Sequence, residues 1–227
     1  PAFGPAVIGR ILEAEGYKVA MVPQPNWRDD LRDFKKLGKP RLFFAVTAGA
    51  MDSMVNHYTA NLRLRSNDAY TPGGKAGFRP DRTIDTYTKI LKDLYPHTPV
   101  VVGGIEASLR RLTHYDYWSD KLQRSILATS GADLLVYGMG DKVIRDVAKA
   151  MRNGFNMKLL RGLRQVGFMA DKEYVEKLYS GKTIVLNSYE ECVEDKRKFG
   201  KNFCEIEVLS NMMKCETTLV ERVSDRY

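Results

Sequence analysis

Cysteine is scarce in this chain: Cys192, Cys204 and Cys215 are the three among 227 residues. Their spacing is too wide for the close cysteine pairs of zinc or iron–sulfur loops, and an odd number argues against a disulfide framework. They read as free thiols at buried helix positions. Histidine is equally rare, with only His57, His97 and His114. No metal site and no catalytic residue is assigned on these residues. No stretch approaches the roughly 18–20 apolar residues of a membrane-spanning helix. No charged-then-apolar leader follows Pro1 either. No membrane partner is expected, and a cytoplasmic setting is the default. Acidic residues are outnumbered, 28 against 36 Lys and Arg, for a formal charge of +8. The excess permits contact with a polyanion, but it is dispersed, so a solvated basic surface is the simpler account.

What is present is a repeated arrangement of apolar runs ending in glycine. Val100, Val101 and Val102 fit a strand buried on both faces, the habit of a parallel sheet covered by helices. Gly103 and Gly104 follow, where a missing Cβ permits a tight turn and a close approach, and then come Glu106, Ser108, Arg110 and Arg111. Arg41 to Val46 repeats the pattern, leading into Thr47, Ala48 and Gly49. Asp133 to Tyr137 repeats it again, leaving through Gly138, Met139 and Gly140 into a helix that Asp141 can cap. Gly138-x-Gly140 lacks the third glycine of the dinucleotide fingerprint. Since open α/β sheets bind ligands at the carboxyl ends of their strands, a crevice is expected there.

Helical spacing accompanies these strands. Phe3, Val7, Ile8, Ile11 and Leu12 form an opening stripe closed by Gly16, and Leu31, Phe34 and Leu37 form a second one. Met54, Val55 and Tyr58 could face inward from a third, and Ile84, Tyr87, Ile90, Leu91 and Leu94 make a fourth. Lys18 to Val22 reads as a short strand, halted by Pro23 and Pro25. No strand precedes the opening helix, so the first strand of the domain is expected upstream of this sequence. Asn61 to Arg82 reads as a long basic loop, with Arg63, Arg65, Lys75, Arg79 and Arg82 against Asp68 and Asp81. It is either functional or an insertion packed over one sheet edge.

Regular alternation stops past Gly154, which places a boundary near residue 155 between an α/β domain, 1–155, and an extension, 156–227. Tyr174, Val175, Leu178 and Tyr179 mark a helix in the extension, and Thr183 to Leu186 a strand. Ser188 with Glu191 forms a capping box. Cys192, Val193, Phe199, Phe203, Ile206, Leu209 and Met213 are expected to face inward from further helices, with no evident terminal element after them.

The predicted crevice has Thr47, Gly49, Gly103, Gly104, Gly138 and Gly140 as its floor. Glu106, Ser108, Arg110 and Arg111 supply polar contacts, and Tyr115, Tyr117 and Trp118 form a wall that would stack a planar ligand. Aromatic residues also pack loops onto sheets, and that reading stands beside it. His114 could move protons near neutral pH or be a hydrogen-bonded structural residue.

Several uncommon words occur here in one order: Pro25-Asn26-Trp27-Arg28, Thr47 to Val55, Tyr70-Thr71-Pro72-Gly73-Gly74-Lys75, Arg79-Pro80-Asp81-Arg82, Gly103 to Arg111, His114 to Asp120 and Asp133 to Asp141. Together they resemble the amino-terminal region of YgiQ-type radical S-adenosylmethionine proteins. The resemblance implies a flavodoxin-like module, akin to cobalamin-binding domains, that precedes a barrel in the same polypeptide. In the full-length protein that barrel would hold a four-iron, four-sulfur cluster and S-adenosylmethionine on a Cys-x-x-x-Cys-x-x-Cys loop. This sequence has no such loop, so no cofactor is expected on it. Cobalamin is doubtful: the Asp-x-His-x-x-Gly motif that ligates cobalt follows a first strand that this sequence does not show, and His57, His97 and His114 sit in no such motif. The expected role is a non-catalytic accessory or ligand-binding portion of an enzyme of unknown substrate. A nucleic-acid-binding module using loop 63–82, or a structural lid over the radical site, are the alternatives.

Overall fold

The computed structural model describes residues 3–178, 182–212 and 215–227; Tyr179 and Met213 lie outside them. Among the described residues the chain opens with α1 (Phe3–Ala14) and α2 (Arg32–Lys35), then β1 (Phe44–Thr47), α3 (Ser53–His57) and α4 (Thr83–Leu94). Next come β2 (Val100–Gly103), α5 (Gly104–Leu109), a hairpin of β3 (His114–Asp116) with β4 (Lys121–Gln123), α6 (Ile126–Ser130) and β5 (Leu134–Val136). α7 (Asp141–Arg152), β6 (Val166–Gly167), α8 (Lys172–Leu178), β7 (Thr183–Val185), α9 (Tyr189–Glu194), α10 (Lys196–Ser210) and β8 (Thr218–Val220) complete it.

The architecture is mixed α/β around a mostly parallel sheet of order β1-β2-β5-β6. β1, β2 and β5 run parallel, with Val46 opposite Val102 and Gly103 opposite Val136, so their carboxyl tips lie side by side. β6 joins antiparallel. Strand periodicity divides β2 between two cores. Val100 and Val102 pack with Ile84, Tyr87, Leu91 and Ile126 on one face, while Val101 packs with Leu134, Val143 and Val147 on the other. Helices therefore cover both faces, which is why a run of three valines suits this strand.

Several expectations need correction. Lys18–Val22 forms no strand; it folds back on α1, where Val19 and Met21 lie over Gly9 and Val19 joins a small core with Leu12 and Ile144. The sheet also continues past residue 155, since β6 pairs with β5 and Leu160 is buried in the second core. The chain has a late element too: β8 pairs parallel with β7. Phe3, Leu37, Val55, Val193 and Phe203 are exposed rather than inward, and so is Cys204; Cys215 is half-buried and lies outside any helix, whereas Cys192 is buried. Asp141 stands in the first turn of α7, whose cap residue is Gly140. The capping box at Ser188 and Glu191 is present. No helix among the described residues is long and apolar enough to cross a membrane.

Candidate functional site

The strand tips are held together by their own loops. A Cβ at Gly104, where φ is +84°, would lie 2.5 Å from Thr47 Oγ1 and 3.8 Å from the Gly49 carbonyl, so only glycine lets α5 start so close to β1. A Cβ at Gly103 would lie 3.2 Å from the Val136 carbonyl, a looser approach, and Gly140 packs on Val136 and Ile8. The Gly138 N–H donates to Ser108 Oγ (3.2 Å), and Arg111 donates to the Ser108 carbonyl (2.6 Å) while lying over the Tyr137 ring.

The polar residues after β2 turn inward. Glu106 is fully buried: one carboxylate oxygen accepts from Ser53 N–H (3.1 Å) and the other from Ile84 N–H (3.0 Å). One side chain thus satisfies free donors in the first turns of both α3 and α4. Burial pushes its carboxyl up, against the pull of the Ile84 N–H and Arg110. Arg110, also buried, pairs with Asp52 at 2.8 Å. Asp52 in turn caps α3 through the N–H groups of Met54 and Val55. Glu106 and Arg110 therefore tie loops together beneath the edge.

The larger cavity lies beside this edge. About 480 Å³ in volume, it is lined by Trp27, Arg28, Met54, His57, Tyr58, Asn67, Arg79, Asp81 and Arg82, among others. Its base is a charged network. Buried Arg79 donates through Nε to Asp68 (2.9 Å), whose other oxygen accepts from Tyr70 N–H (2.9 Å). Burial alone would raise the Asp68 carboxyl, but these hydrogen bonds outweigh it and hold the group at about 2. His57 faces Asp81 through Nδ1 (2.9 Å) and Asp68 through Nε2 (3.8 Å). Tyr58 donates to the second Asp81 oxygen (2.8 Å), which raises its own phenol pKa. The Trp27 indole N–H donates to the Phe78 carbonyl (3.0 Å), and Arg28 lies 4.6 Å from the Trp27 ring centre.

A second cavity of about 300 Å³ shares Met54, Tyr58 and Arg82 with the first and adds Leu62, Asp116, Trp118 and Ser119. Arg82 donates to Asp116 there (2.7 Å). Of the expected aromatic wall, Trp118 lines this cavity. Tyr117 donates instead to the Ala60 carbonyl, and Tyr115 to Asp120. His114, on β3, directs Nδ1 at the Leu112 carbonyl (3.1 Å), and burial pushes its imidazole below the ordinary value. That favours a neutral, structural ring. The strand periodicity did not point to Trp27, Arg28, His57, Tyr58, Asn67 or Asp81; the words Pro25 to Arg28 and Arg79 to Arg82 contain Trp27, Arg28 and Asp81, while no motif singled out His57, Tyr58 or Asn67.

A family model described as Radical SAM N-terminal matches residues 1–227. The chain belongs to this family. It is 58% identical over 226 residues to a UPF0313 protein of Porphyromonas gingivalis, covering 96% of this chain and 34% of that protein. A UPF0313 protein of Bacteroides thetaiotaomicron is 55% identical over 222 residues, 93% of this chain and 36% of its own length. One of Clostridium botulinum strain Okra is 43% identical over 227 residues, 100% of this chain and 34% of its own length. The chain thus spans about a third of the length of these relatives. No solved structure matches it. The relationship to the YgiQ-type radical S-adenosylmethionine proteins, expected from the sequence words, holds along the whole chain.

The cysteines present do not fit an iron–sulfur loop. Cys192 is buried, its thiol donating toward the Asn187 carbonyl, and burial pushes it up to about 11, whereas Cys204 is exposed. Among the described residues no group of three His, Cys, Asp or Glu side chains is placed to hold a metal ion. Both ring nitrogens of His57 face carboxylates, and exposed His97 precedes β2 at the amino edge.

Proposed function

We propose that this region is the non-catalytic, ligand-binding accessory portion of a radical S-adenosylmethionine, iron–sulfur enzyme, with a flavodoxin-like module as its frame. The cluster and S-adenosylmethionine belong to a barrel elsewhere in the full-length polypeptide, and the larger cavity receives part of the substrate. The observation that carries this reading is the cavity itself. It sets an aromatic face, Trp27, beside Arg28, a guanidinium stacked on that ring, over a base of buried ion pairs. Such a pocket suits a small planar or anionic molecule.

The geometry favours a small molecule over a nucleic acid. Of the loop's basic residues, Arg79 is neutralised by Asp68 and Arg82 by Asp116, which leaves fewer cations to release counterions from phosphates. The test uses full-length protein reconstituted anaerobically with iron and sulfide, measuring cleavage of S-adenosylmethionine in the presence of fractionated metabolites. A low-molecular-weight fraction should stimulate the wild type and lose that effect in Trp27→Ala and Arg28→Ala. Equal stimulation of both variants refutes the cavity as the working site. Stimulation confined to the RNA fraction, and falling steeply with salt, would replace this reading with the nucleic-acid one.

A further inference from the structure

The loops leaving the carboxyl edge expose apolar side chains where polar ones were expected. On α5, Ile105 is 49% and Leu109 63% exposed, while Glu106 and Arg110 on the same turns are buried. Met139, 76% exposed, joins them because its neighbour Gly138 is bonded to Ser108. Val55, 48% exposed, sits on α3, whose first residue is bonded to Glu106. Single exposed hydrophobic residues need no explanation, but four on elements that hydrogen bonds join at one edge give that edge an apolar character that water does not favour.

We infer that this edge is a docking surface for the remainder of the same polypeptide. The inference rests on the proposal that a barrel accompanies this region, and it adds the surface that meets it. Two observations select that occupant. This chain accounts for 34% of a relative's length, leaving about two thirds of a full-length protein to cover the patch. In addition, the segment after β8 passes this end of the molecule, where Glu221 accepts the N–H of Thr113 (2.8 Å) just past α5, before Tyr227 pairs with Ala170 beyond β6.

Peptide-resolved iodoacetamide labelling of the full-length protein tests it, using Leu109→Cys and Met139→Cys, with Lys35→Cys on exposed α2 as the solvent reference. The two edge positions should label about tenfold more slowly than the reference, at every protein concentration. Equal rates overturn the inference. Protection that grows with protein concentration assigns the patch to a second copy and overturns it too. A photo-crosslinker at Ile105 should join peptides beyond Tyr227 of the same molecule; a crosslink to a separate protein refutes the assignment. None of these readouts needs substrate, so they can fail while the cavity proposal stands, and the reverse.

Discussion

Two neighbouring surfaces at the carboxyl end of the sheet solve opposite problems. At the α5 edge the charged groups, Glu106 and Arg110, are turned inward to join loops, and Ile105, Leu109 and Met139 are left outside. In the cavity beside it, charge is stacked in depth: Arg79 and Asp68 are buried at the base, and Arg28 and Asp81 are exposed at the rim. Buried ion pairs are expensive to desolvate and contribute little net stability; under the proposed function they hold the shape and charge of the cavity for a ligand. An apolar edge whose polar groups are already satisfied suits contact with protein. Proximity to the strand tips alone does not decide which surface binds what; the direction of the side chains does.

The sharpest way to break the contrast is to remove one member of the pair beneath the cavity. Asp68→Ala leaves the Arg79 guanidinium buried and uncompensated, at a cost of about 3–5 kcal/mol. Thermal unfolding of the full-length protein should show it as the largest loss of the series. The sign of its pH dependence follows from a carboxyl held at about 2 against an ordinary value of 3.8. Its stabilisation is present above 3.8 and is lost as pH falls through about 2. Asp68→Asn should therefore flatten the acid limb of the stability curve.

At the apolar edge the matching experiment is Glu106→Gln. Glutamine keeps one acceptor but sets an NH₂ against a backbone N–H of Ser53 or Ile84, leaving a buried donor unmet, at about 1–3 kcal/mol. Because Glu106 joins the starts of α3 and α4, hydrogen exchange should quicken in the first turns of both helices. Exchange confined to α5 would show that the side chain serves its own helix alone.

These two networks also mark where the sequence was legible. Val100 to Val102 announced a central strand because burial on both faces removes every polar position, and the glycines after it announced a turn that only glycine permits. Periodicity stops informing where the chain becomes irregular. Asp68, Arg79 and His57 meet through side chains in a loop held by isolated bridges such as Asn67 with Lys75, a geometry without a repeating pattern. The same limit hid β8, which has three residues and a single neighbour. Lys18–Val22 had a strand's composition but lay against α1 instead. Glu106 and Arg110 were placed at the right edge and given the wrong direction. Spacing locates a residue on an element, while the loops that cover it decide which way it faces.

Glu221 sharpens the comparison from the side of pH. Burial pushes its carboxyl from 4.5 to about 7, against the hydrogen bond from Thr113. The folded state then holds a proton that the unfolded chain releases near 4.5, so this group's stabilisation is full below 4.5 and disappears as pH rises through about 7. Glu221→Gln should remove that slope, raising the melting temperature at pH about 8 relative to wild type and changing it little near pH 4.5. An unchanged slope would show that the contact between β8 and the segment after α5 opens to water.

The smallest effect belongs to the loop's outer cations, and it separates charge from position. Lys75 shares a loop and a sign with Arg79, but it is exposed where Arg79 is buried against Asp68. Lys75→Gln should alter stability by less than about 0.5 kcal/mol, as exposed substitutions usually do. It should also leave stimulation by a low-molecular-weight ligand intact, since Lys75 does not line the cavity. Were the loop instead a track for nucleic acid, the same substitution would weaken binding and lower its salt dependence by about one counterion. Filter binding of RNA at two salt concentrations, wild type against Lys75→Gln, distinguishes a loop whose charge works by depth from one whose charge works by number.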